Sequence, residues 1–130
     1  MFALDTNTLI YFFQGAGRVA EQFLAVAPAE IAVPSVVVFE LEIGIARSSQ
    51  PARRRAQLDE LLSVVSVLPL DGKAARKAAD IDSALRKAGT PIGPMDTLIA
   101  GTALSHGATL VTHNLGEFRR VRGLSLIDWY

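Results

Sequence analysis

Five short apolar runs recur along the chain: Phe2-Ala-Leu4, Ile31-Ala-Val33, Val65 to Leu68, Thr109-Leu-Val111 and Leu124 to Ile127. Longer helix-like stretches separate them. Brief runs without polar alternation fit strands buried on both faces. Alternating with helices, they predict one α/β domain over residues 1–130, built on a mostly parallel five-stranded sheet flanked by helices. The helices carry punctuation. Asp71 can cap a helix running to about Lys87, which Gly89 would end. Pro94 suits the first turn of another through about His106, with Gly107 past its end, and Pro51 starts an amphipathic helix through about Leu62. No repeat, low-complexity tract or linker marks a second domain.

Tyr11, Phe12 and Phe13 are consecutive on the first predicted helix, where steps of about 100° spread them too widely to face one core. Either one of them lies over the helix end, or the trio opens an apolar patch toward a partner subunit. A mean hydropathy of +0.31 favours the partner. Half the 130 residues are hydrophobic, enough for a core without disulfides or a structural metal. The absence of cysteine excludes a disulfide scaffold, thiol catalysis and thiolate zinc sites, and it fits a cytoplasmic protein. The longest apolar run, around Leu61 to Leu70, is broken by Ser63, Ser66 and Pro69, so a soluble chain is expected. Its Met-Phe-Ala-Leu-Asp start lacks the basic region of a secretory signal. Thirteen basic and 13 acidic residues give no net charge. That excludes a protein that coats nucleic acid by charge alone, but not a nuclease with an acidic centre.

Ligands of an open parallel sheet sit beyond the carboxyl ends of its strands. Asp5 ends the first predicted strand and is followed by Thr6-Asn-Thr8. Thr112, His113 and Asn114 end the fourth, with Glu117 three residues on, and Asp96 falls in the first turn of the helix that leads into that strand. Glu40 and Glu42 interrupt the apolar stretch Val36 to Ala46. Two positions on a helix are about 200° apart, so only one can face the same site. Glu40 is favoured because it shares its face with Gly44, which leaves room beside the carboxylate.

Each acid also has an ordinary explanation. Asp5 could cap a helix beginning near Thr6, Asp96 could stabilise a helix amino terminus, and Asn114 with Glu117 has the spacing of a capping box. Glu40 resists such a reading, because an unpaired carboxylate in an apolar helix costs stability. Four such coincidences at one sheet edge are less expected than one acidic metal pocket. An all-oxygen set suits Mg2+ or Mn2+. His106 reads as a residue near a helix end and His113 as one at the pocket rim, neither as a metal ligand. There is no Walker-type glycine loop, and Gly15-Ala-Gly17 is only a turn signal.

Taken in order, Leu4-Asp5-Thr6-Asn7, Pro34 through Glu40 to Gly44, Ile92-Gly-Pro-Met-Asp96-Thr-Leu-Ile-Ala100, Leu110-Val-Thr-His-Asn114-Leu-Gly-Glu117-Phe118 and Leu126-Ile-Asp-Trp129 resemble the PIN-domain nucleases, specifically the VapC-type toxins of bacterial toxin–antitoxin pairs. The resemblance spans nearly the whole chain and implies a PIN-like single domain. It also implies that Asp5, Glu40 and Asp96 are metal-binding acids, with Asn114 or Glu117 serving a fourth acidic place. Thr6 and Thr112 match polar positions that line the pocket. The implied activity is Mg2+-dependent endoribonucleolytic hydrolysis leaving 5′-phosphate and 3′-hydroxyl ends. The implied partners are a VapB-like antitoxin, an RNA substrate with tRNA a frequent class, and a second copy of the chain. Arg53, Arg54 and Arg55, with Arg119, Arg120 and Arg122, are candidates to hold flanking phosphates, or are simply solvated faces.

Two rival classes share parts of this pattern. A haloacid-dehalogenase-like phosphatase also begins with a strand and an aspartate, but its second aspartate would fall at Asn7. A receiver-like, non-catalytic metal- and partner-binding module usually needs an acidic pair near the first strand and a lysine after the last, and neither is evident.

Overall fold

All five apolar runs become strands of one parallel sheet in the computed structural model, which describes residues 1–130. The strands are β1 (Phe2–Leu4), β2 (Ile31–Pro34), β3 (Ser66–Leu68), β4 (Thr109–Val111) and β5 (Leu126–Ile127), in the spatial order β3-β2-β1-β4-β5. Two are shorter than their hydrophobicity predicts. Val65 precedes β3, and Leu124 and Ser125 precede β5. Register is set by Phe2 opposite Ile31 and Thr109, and by Leu110 opposite Leu126. From β1 the chain builds outward through β2 to β3, then crosses back to lay β4 on the other side of β1. The order therefore reverses between β1 and β4, where adjacent connections diverge and leave a crevice at the carboxyl ends.

The helices are α1 (Thr6–Gln14), α2 (Val19–Leu24), α3 (Ser35–Ala46), α4 (Pro51–Leu62), α5 (Gly72–Lys87), α6 (Pro94–Ser105) and α7 (Leu115–Phe118), with a 3-10 turn at Pro28–Glu30 before β2. Asp71 caps α5 by accepting from the Ala74 amide at 2.9 Å. Beyond α5, Gly89 takes the left-handed conformation and lets the Thr90 amide reach the Leu85 carbonyl. Helix α6 stops one residue short of His106. Leu4, Leu9, Ile31, Val33, Ile99 and Leu110 lie among the fully buried side chains between sheet and helices.

The aromatic trio on α1 divides. Phe12 packs on Phe13 and Phe23, whereas Tyr11 turns toward His113 and Tyr130. All three are partly buried, so no broad bare patch forms there. Gly15 and Gly17 both have positive φ, and Gly17 does more than turn the chain. A Cβ on it would lie 2.7 Å from the Tyr130 carbonyl oxygen, so only glycine lets this loop close over residue 130.

Candidate active site

Asp5 stands where the crevice opens. Its amide donates to the Val111 carbonyl at 3.1 Å, extending the β1–β4 ladder one residue past the strand. Its carboxylate accepts from the Thr8 amide at 2.9 Å and caps α1, so the helix-capping and site readings of Asp5 describe the same conformation. The Thr8 hydroxyl donates to the Val111 carbonyl at 3.1 Å, and Thr112 hydrogen-bonds Asp5 through its side chain. The Thr112 hydroxyl also accepts from the Asn114 amide at 3.0 Å. Burial raises the Asp5 carboxyl above its ordinary value, against the lowering effect of the Thr112 and Thr8 hydrogen bonds, and nearby Asp128 adds to the rise.

Glu40 projects from α3 toward the start of α1, where the Thr6 hydroxyl donates to it at 2.6 Å. Glu42, on the other side of the same helix, forms a two-pronged ion pair with Arg55 of α4. That pair draws Glu42 down and ties Arg55 to the helix surface.

Asp96 sits in the first turn of α6, half-buried, with its carboxyl pushed up to about 6. Burial is the main cause. A hydrogen bond to Glu117 that favours the protonated form follows, then repulsion from Glu117, Asp5 and Glu40. Three acids from three other segments thus bear on Asp96 at the reversal of strand order. Asn114 begins α7 without capping it through its side chain. Its Nδ2 donates instead to Glu117 Oε2 at 2.7 Å, which turns the carboxylate toward Asp96.

No basic side chain contributes to the shift of Asp5 or Asp96, so the negative charge is left uncompensated. Oxygen donors alone, carrying excess charge at a crevice, fit a hard divalent cation. No three of the acids converge tightly enough to enclose an ion by themselves, so water would complete its coordination.

The two histidines go elsewhere. His106 Nδ1 lies 2.9 Å from the Thr102 carbonyl oxygen at the end of α6, and His113 pairs with Asp128 at 2.9 Å. Asp128 carried no role in the sequence reading. Its signal was an acid immediately after the last apolar run, on the same sheet edge as Asp5. Among the arginines, Arg53 and Arg54 contact Gln50 and Gln57, and Arg120 donates to the Pro91 carbonyl in the loop before α6.

The chain is similar to known proteins in both sequence and fold. The PIN domain family model matches residues 2–124. The chain is 35% identical over 128 residues to the tRNA(fMet)-specific endonuclease VapC of Salmonella typhimurium, covering 98% of this chain and 97% of that protein. It is 30% identical over 137 residues to the ribonuclease VapC2 of Rickettsia felis, covering 99% and 98%. Among solved structures, DNA-bound VapBC from S. typhimurium superposes with a TM-score of 0.92 at 36% identity, over 99% of this chain and 98% of that one. VapBC2 from R. felis bound to a promoter DNA fragment also gives 0.92, at 30% identity and the same coverage. The chain belongs to the PIN-domain family of metal-dependent nucleases, and within it to the VapC-type toxin ribonucleases.

Proposed function

We propose that the chain is a single-domain, Mg2+-dependent endoribonuclease, with Mn2+ able to substitute, that acts through Asp5, Glu40, Asp96 and Glu117. The observation that carries this reading is the meeting of four acids from four segments at one crevice, with no cation of the protein's own to balance them. Asp5, Glu40 and Asp96 would hold the ion together with bound water; Thr6 steadies Glu40, Thr112 steadies Asp5, and Asn114 aims Glu117. Bound there, Mg2+ supplies a strengthened water nucleophile and charge neutralisation at the phosphodiester. Glu117, set beside the half-buried Asp96, accepts the proton released as water attacks phosphorus, while the P–O3′ bond breaks and the departing 3′-oxygen takes a proton from solvent. The ends produced are 5′-phosphate and 3′-hydroxyl. We assign flanking-phosphate contacts to the exposed Arg53, Arg54, Arg119, Arg120 and Arg122, while Arg55 contributes less because Glu42 occupies its guanidinium.

The substrate class we infer is tRNA, by likeness to the S. typhimurium relative. The partner is a VapB-like antitoxin. An apolar groove of about 240 Å³ opens beside Glu40, lined by Ile10, Phe13, Gly44, Ile45 and Arg54 among others, and it suits a helix or strap from such a partner. Phe39, 53% exposed on the largely apolar α3, marks a face for a second copy of the chain.

The test is to incubate the partner-free protein with total RNA, with Mg2+ and with EDTA, beside Asp5→Asn and Asp96→Asn proteins. Discrete fragments with 5′-phosphate ends are expected only with Mg2+ and both aspartates. Equal cleavage by either variant, or in EDTA, would overturn the assignment of that acid or of the metal.

A further inference from the structure

Beside the acids, at the carboxyl ends of β4 and β5, lies a cluster of rings that the hydrolytic chemistry does not use. His113 stacks on Tyr130 with centroids 4.3 Å apart and planes 25° from parallel. Tyr11 meets both edge-on, at 5.9 Å from His113 and 4.9 Å from Tyr130. The pair is held firmly. His113 Nδ1 is bound to Asp128 at 2.9 Å, and Asp128 also accepts from the Tyr130 amide at 2.9 Å. The Arg18 amide donates to the Tyr130 carbonyl at 2.8 Å, and Gly17 gives up a side chain to let that contact form.

Rings fixed so carefully are nonetheless open. The His113 side chain is 45% exposed and Tyr130 is 47% exposed. Their place ties them to the pocket. His113 stands between Thr112, which holds Asp5, and Asn114, which holds Glu117, and Asp128 is near enough to Asp5 to act on its charge.

We propose that His113 and Tyr130 form a stacking platform for an unpaired RNA base next to the scissile phosphate, kept rigid by Tyr11 and Asp128. Proteins recognise single-stranded RNA by stacking splayed bases on aromatic side chains and reading their edges, and a preformed ring pair receives a base without ordering itself first. Because Asp128 can only accept, Nδ1 carries the proton of the neutral imidazole. Nε2 is then an acceptor, suited to a base amino group or a ribose 2′-hydroxyl. His113 and Tyr130 are positioning residues for substrate and take no part in the hydrolysis. The inference rests on the RNA-cleaving reading but is tested through binding.

The probe is a ten-nucleotide single-stranded RNA carrying 2-aminopurine at each position in turn, titrated with protein in the Asp96→Asn background so that nothing is cleaved. Stacking quenches the fluorophore at one position. His113→Leu and Tyr130→Leu are expected to abolish the quench and weaken binding about tenfold or more. His113→Phe and Tyr130→Phe, which keep a ring, retain the quench and show that the fold is sound. With Asp96 restored, the Leu variants are expected to raise KM for an RNA substrate far more than they lower kcat. Absence of a quench at saturating protein, or a quench unchanged in both Leu variants, overturns the platform while leaving Mg2+-dependent cleavage intact. Leu variants that bind RNA normally but release a VapB-like partner would also overturn it, assigning the rings to the protein interface. If the protein with Asp96 restored cleaves no RNA, the reading beneath the platform fails instead.

Discussion

Asp5 does two jobs from one position, and its neighbours decide which substitution separates them. Asparagine caps helices as well as aspartate does, so Asp5→Asn is expected to keep the fold while abolishing cleavage. Asp5→Ala removes the cap to Thr8 as well and costs about 1 kcal/mol of stability, measurable by urea denaturation. Asp96 carries a pH signature. Its folded-state value of about 6 lies above the 3.8 of the free side chain, so between these two pH values the folded protein binds more protons than the unfolded chain. Stability of the metal-free protein therefore falls as pH rises from about 4 to about 6 and stays lower above that window. For a half-exposed group the contribution is on the order of 1 kcal/mol once solvent screening is allowed for. Asp96→Asn is expected to flatten the slope and to melt higher than the metal-free parent at pH 7, as thermal scans from pH 4 to 8 would show. Divalent cations compete with the proton at this site, so Mg2+ is expected to raise Tm at pH 7.5 and much less at pH 5.

At the scale of elements, the site depends on how closely α6 can be drawn against α5. Gly101 of α6 lies directly on Ala78 of α5. A Cβ there would meet the Ala78 amide nitrogen at 2.6 Å and its Cβ at 2.7 Å, backbone and a rigid methyl that cannot yield. Gly101→Ala is expected to cost roughly 1–3 kcal/mol and to push α6, with Asp96 at its first turn, away from Asp5. The measurement is a urea titration paired with cleavage assays under conditions where the variant stays folded. Activity should fall further than the folded fraction does. Gly44 on α3 is the opposite case, because nothing stands within 4 Å of a Cβ built on it. It borders the groove beside Glu40, so Gly44→Trp is expected to leave Tm almost unchanged and to occupy the groove. Antitoxin affinity, measured by calorimetry, should drop at least tenfold. Unchanged affinity would place the antitoxin elsewhere.

For the molecule as a whole, the reversal of strand order between β1 and β4 governs function, because it turns acids separated by most of the chain into neighbours. Asp5 and Glu117 are 112 positions apart in the numbering, yet one carboxylate is sensed at Asp96 alongside the other. Every pairing in the sheet is parallel, so all strand ends point the same way and a single edge collects the polar residues. The aromatic rim at β5 and the apolar groove between α1, α3 and α4 lie on the flanks of that edge. No helix of the molecule is long and apolar enough to cross a membrane.

Much of this was legible in the residues. The five strands, the parallel sheet and the caps at Asp71, Pro94, Gly89 and Gly107 follow from local pattern, because apolar run length and turn chemistry are properties of a few consecutive residues. The choice of Glu40 over Glu42 also came from helical spacing, and the structure places Glu40 against Thr6 and Glu42 against Arg55. Strand ends were less legible. Val65 and Leu124 lie beside the ladder without joining it, their amides turning back to Leu61 and Val121, since pairing depends on a partner's register and not on apolar character alone. Periodicity could not say which rings would cover Tyr11, what Asp128 would do, or that Asn114 would serve Glu117 and not a helix cap. Those outcomes belong to tertiary structure, because they are set by distances between segments far apart in the chain. The sequence by itself determined the elements and the stock of acids. Only the fold, through strand order and the close approach of α6, decided that Asp5, Glu40, Asp96 and Glu117 share one electrostatic environment.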